Sequence, residues 1–109
     1  MKKLSIVAVA LVFAACSSQL ATPTQADADR GAAMHQGLAL AQLQEGKKLY
    51  AAECNRCHPL KDPAKWTAAE WSEIMPKMIK GVEKKGGVLT DEQKDNLLRY
   101  AQTMAKKGA

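Results

Sequence analysis

Cys54-Asn55-Arg56-Cys57-His58 is the stretch on which the reading of this 109-residue chain turns. Two thiols stand three positions apart, and an imidazole follows directly. Within one helical turn both sulfurs can reach the same planar group, with the imidazole lying beneath it. This C-x-x-C-H spacing is the attachment signature of c-type haem: Cys54 and Cys57 form thioethers to the two vinyl groups, and His58 offers Nε2 to the iron. Other uses of the pair fit less well. A thioredoxin-like dithiol needs a βαβ setting, and no stretch of this chain alternates convincingly at period two. Zinc would need a further ligand, and His35 lies about twenty residues away in a segment that reads as spacer. A structural disulfide between Cys54 and Cys57 is the bland alternative for an exported chain.

Working outward from the motif, helical patterns lie on both sides. Leu38, Leu40, Leu43, Leu49 and Tyr50 recur at helical spacing among alanines and charged residues, and Gly46 marks a close packing point or a break. From Cys54 to Trp66 the prolines Pro59 and Pro63 predict a loop. Thr67-Ala68-Ala69-Glu70 is a capping box, so a helix should open there and carry Trp71, Ile74, Met75 and Met78. Pro76 falls inside that helix and predicts a kink or an early end. Gly81, Gly86 and Gly87 bracket a lysine-rich connection. Thr90-Asp91-Glu92-Gln93 is a second capping box, opening a last helix with Leu97, Leu98, Ala101 and Met104. The fold class is all-α.

The chain starts Met1-Lys2-Lys3, continues with the apolar run Leu4 to Ala15, and reaches Cys16. A positive head, a short apolar run and small residues at its end form the layout of a secretory signal. The run is shorter than the roughly 20 residues a spanning helix needs. Phe13-Ala14-Ala15-Cys16 resembles the lipobox of bacterial lipoproteins, departing from it at Phe13, where leucine is usual. That resemblance implies a diacylglycerol on the thiol of Cys16 and a mature chain on the periplasmic side of a bacterial envelope. The alternative is an ordinary signal peptide and a soluble periplasmic protein. Ser17 to about Ala33 is rich in Ser, Thr, Ala, Gln and Asp and reads as a flexible spacer.

From about Leu43 to Lys107 the chain resembles the small monohaem class I cytochromes c. The C-x-x-C-H carries most of this, supported by Gly46-Lys47-Lys48-Leu49-Tyr50 ahead of it and by Leu97, Leu98 and Tyr100 near the end. The resemblance implies three to four helices around one covalent haem c, with Gly46 and Tyr50 facing Leu97 and Tyr100. It divides the chain into a signal peptide at 1–15, a spacer at 16–36 and a cytochrome c domain at 37–109. The stretch from Pro63 to Thr67, followed by Trp71 and a methionine, is similar to a sub-group whose distal methionine follows that tryptophan. A backbone carbonyl near Pro63 is the implied acceptor for the second nitrogen of His58.

The sixth ligand decides what such a haem does. A methionine thioether there favours Fe(II) and blocks exogenous ligands, which suits electron transfer. Met34 lies in the spacer and Met104 in the last helix, which leaves Met78, with Met75 as the alternative. Ligation by His35 would lower the potential instead. Trp66 and Trp71 either pack or line the haem edge, where an indole N–H can reach a propionate.

The expected function is therefore an electron carrier with no small-molecule substrate and no enzymatic activity. An open distal site would instead make it a haem-based ligand binder or gas sensor. From Gly46 onward there are 13 basic and 8 acidic residues, a balance too mild for a dedicated nucleic-acid binder. Lys47, Lys48, Lys61, Lys65, Lys77, Lys80, Lys84 and Lys85 surround the motif in sequence. They offer a positive surface to an acidic redox partner, or simply keep the chain soluble.

Overall fold

A computed structural model describes residues 20–53 and 61–107. Four α-helices follow in order: α1 (Gln25–Gly31), α2 (Leu40–Glu53), α3 (Ala68–Lys84) and α4 (Asp91–Thr103), with one 3-10 turn at Pro63–Lys65. Among the described residues there is no strand, only a single bridge between Thr67 and Lys106. The all-α expectation holds, and the arrangement is consistent with a cytochrome c-like fold.

Both predicted capping boxes are present. Thr67 accepts from the Glu70 N–H while Glu70 accepts from the Thr67 N–H, and Thr90 and Gln93 do the same at the start of α4. Each satisfies donors that a helix start would otherwise leave open.

The main core lies where α2 crosses α4. A Cβ at Gly46 would stand 2.2 Å from the Asn96 carbonyl oxygen and 2.6 Å from Tyr100 Cβ, so only glycine lets the two backbones approach this closely. One turn further along α2, Tyr50 is fully buried and meets Tyr100 edge-on, with ring centroids 5.7 Å apart. α3 closes the core with Trp71, which lies 6.1 Å from Tyr50 at 76°, and with Met75 and Val82.

Two expectations are corrected. The early end expected at Pro76 does not occur: α3 continues past it to Lys84, and the Pro76 ring is exposed to solvent. An interior proline costs about 3 kcal/mol. Trp71, Met75 and Val82 on the opposite face, at about 1.5–3 kcal/mol each, outweigh that.

The second correction concerns the spacer, since the segment from Leu20 to Gly37 packs on the domain. Thr24 and Asp27 form a third capping box, and Arg30 pairs with Asp27 at 2.9 Å. Burial alone would raise the Asp27 carboxyl, but the Thr24 N–H and Arg30 bring it below its ordinary value. The helix docks through small residues: Ala28 is fully buried, and Gly31 rests against Leu38 and Thr103. Leu20 joins the main core. Composition misses this because close contact between small side chains does not need large apolar ones.

Candidate functional site

Cys16, Cys54, Cys57 and His58 lie outside the described residues. What the structure shows is the frame around the attachment stretch. α2 ends at Glu53, directly before Cys54, and the described chain resumes at Lys61. Both feet are fixed to the aromatic core. Tyr50, one turn before the end of α2, donates its hydroxyl to the Lys61 carbonyl. The indole Nε1 of Trp71 donates to the Pro63 carbonyl at 2.8 Å, a buried bond. Asp62 caps the short turn by accepting from the Ala64 N–H at 2.9 Å. Trp66 then stacks edge-on to Trp71 at 5.2 Å, and its carbonyl accepts from the Lys106 N–H at 2.8 Å.

These bonds favour one of the two roles expected for Trp71. The Trp71 N–H is held by Pro63, so its indole serves packing and loop anchoring rather than a propionate. The Pro63 carbonyl accepts from the Trp71 Nε1 and, at 3.4 Å, from the Trp66 N–H, and the expected partner of His58, a carbonyl near Pro63, concerns a residue outside those described. The anchoring roles of Tyr50 and Trp71 were not foreseen. Their signal in the sequence was the presence of two hydrogen-bonding aromatics, rather than phenylalanines, at core spacing.

The two candidate methionines occupy different places on α3. Met75 is 1 % exposed and enclosed in the core. Met78 is half-buried and packs against the edge of the same cluster, as do Ile74 and Ile79. Met34 is 50 % exposed in the connection after α1, and Met104 is half-buried at the end of α4. His35 is half-buried, with Nε2 enclosed and unpartnered among the described residues. Burial lowers its pKa, the nearby Gln102 side chain works against this, and the Arg99 charge lowers it further. Tyr100 is pushed up to about 12, first by burial and then by the charge of Asp62.

The side chains present fit a haem. Half-buried Leu49, Ile74, Met78 and Ile79 give the main core an apolar margin of the kind a haem face needs, and the Met78 thioether would be a soft donor there. Lys77, Lys80 and Lys84 lie on α3 beside it, all exposed, with no carboxylate paired to them among the described residues.

An all-helical domain in which a glycine crossing and three buried aromatics frame a C-x-x-C-H stretch defines a c-type cytochrome domain. Residues 41–100, more than half of the chain, match the family model described as cytochrome c oxidase, cbb3-type, subunit III. The chain belongs to that family of haem c-carrying domains. Comparison with curated proteins and with solved structures gave no match.

Proposed function

We propose that this chain is a monohaem c-type cytochrome that passes single electrons between redox proteins at the periplasmic face of a bacterial envelope. In this reading haem c is held through Cys54 and Cys57, His58 and Met78 are the axial ligands, and a lipid on Cys16 anchors the mature protein. The observation that carries it is the family match, which spans the C-x-x-C-H stretch and both helices that frame it. When bound, the haem supplies a one-electron couple whose potential a thioether ligand raises. The chain's own residues fix the site. Tyr50 and Trp71 hold the segment that follows the attachment stretch, and α3 presents Met78 at the edge of the core.

Met78 is preferred to Met75 because drawing Met75 to an iron would empty a fully packed position. The exposed lysines of α3 support docking of an acidic partner surface. The family's description names an oxidase subunit, which suits a chain that delivers electrons to a larger redox complex.

The test is spectroscopic. The oxidised protein should show the weak far-red band of methionine-ligated ferric haem, Met78→Ala should abolish it, and Met75→Ala should keep it while lowering stability. Loss of the band in Met75→Ala alone would reverse the assignment. Rapid carbon monoxide binding by the reduced wild-type protein would replace the electron carrier with a ligand-binding protein.

A further inference from the structure

The segment between the anchoring cysteine and the domain is held to the domain along most of its length. Leu20 is buried in the main core, only four residues after Cys16. Thr22 accepts from Lys47 Nζ at 3.1 Å, which ties the segment to α2, and Pro23 is buried. α1 follows, and Arg30 donates to the Thr103 carbonyl at 3.1 Å at the far end of α4. A Cβ at Gly31 would stand 2.6 Å from Leu38 Cδ2 and from Thr103 Oγ1, so the helix lies in direct contact with its support. Leu38 is buried and leads into α2.

We infer that residues 20–38 are a docked strap, and that it fixes the domain against the lipid surface with the Lys47 side of α2 facing the bilayer. This rests on the lipidation of Cys16 proposed above. Four residues span at most about 14 Å even when fully extended. Leu20, where the strap enters the domain, must therefore stay within that distance of the anchor, with the Thr22–Lys47 contact two residues further on. Such a domain does not swing out to fetch electrons from distant donors. Its partners come to it along the same membrane, and only a limited set of orientations is open to them.

Trypsin tests this directly. Between Lys3 and Lys47 the chain offers one cleavage site, Arg30. The full-length haem-loaded protein is reconstituted in phosphatidylcholine vesicles and treated with trypsin. Release of the haem domain into the supernatant, with Gly31 as its new first residue, then reports opening of the strap. Slow release from the wild type, accelerated about ten-fold or more by Gly31→Val, is the expected result. Hydrogen exchange supplies a second reading that needs no variant: amides of residues 28–32, which donate within the helix, should be protected in the wild type. Wild-type release as fast as that of the variant, or exchange at the rate of a free peptide, overturns the strap.

Mass spectrometry of the mature N-terminus separates the two claims. A missing diacylglycerol overturns the lipid anchor and the membrane position with it. Protection of the strap is still read in the soluble protein, so the failures are distinguishable.

Discussion

The two sides of α4 are packed by opposite means. On one side Tyr50, Trp71 and Tyr100 fill the space against α2 and α3 with large rings at 5.7–6.1 Å. On the other, α1 itself contributes only the small residues Ala28 and Gly31, set against Thr103, Leu38 and the fully buried Leu43. The first side owes its stability to volume and is sensitive to cavities. At Gly46 it also rests on two backbones in direct contact, whereas on the second side Gly31 meets only side-chain atoms of Leu38 and Thr103. The aromatic side also carries the two hydrogen bonds that anchor the loop after the attachment stretch, so packing and site are one construction there.

The contrast breaks most sharply at Trp71. Trp71→Ala should cost about 3–5 kcal/mol, because it empties a fully buried site and leaves the Pro63 carbonyl without its donor. The guanidinium midpoint of the haem-loaded protein reads this, and a loss below about 1 kcal/mol would mean that the ring is not central.

Next come the glycines, which test how each side yields to a single methyl group. Gly46→Ala meets the backbone of α4 and should cost about 3 kcal/mol. Gly31→Ala meets side-chain atoms of Leu38 and Thr103 rather than backbone, and should cost less, about 1 kcal/mol. Equal losses would erase the distinction between the two sides.

The smallest expected effect is a pH dependence confined to the α1 side. His35 is less readily protonated in the folded chain than in the unfolded one, because its burial disfavours the cation. The unfolded state therefore binds the proton first. The stability linked to His35 is complete above the ordinary value of 6.5 and is lost as the pH falls below it. Unfolding midpoints of the wild type and His35→Gln should converge toward acid pH, and parallel curves would remove His35 from the account.

Much of the aromatic side was legible in the sequence. Thr67 and Thr90 announce α3 and α4 through local hydrogen bonds that need no tertiary context. Gly46 and Tyr50 announce the crossing with α4 through the resemblance to small cytochromes. α1 was missed because its docking surface is alanine and glycine, residues equally common in linkers. Its one local signal, Thr24 with Asp27 three residues later, has the capping-box form with a shorter acid. Pro76 misled for the converse reason: a local rule against interior proline gave way to the buried face of α3. For the site, the attachment motif and the methionine pair could be read directly. The anchoring of Lys61 and Pro63 could not, because it depends on where folding brings two aromatic side chains.

The crossing at Gly46 also orders events in time. The helix that leads into Cys54 finds its support only at residues 96–100, far along the chain from it. On a polypeptide that emerges from its N-terminus, Tyr50 has no Tyr100 to meet until about fifty further residues have been made. α2 thus lacks its partner for as long as α4 is missing, and the aromatic core is the part of the fold that closes last.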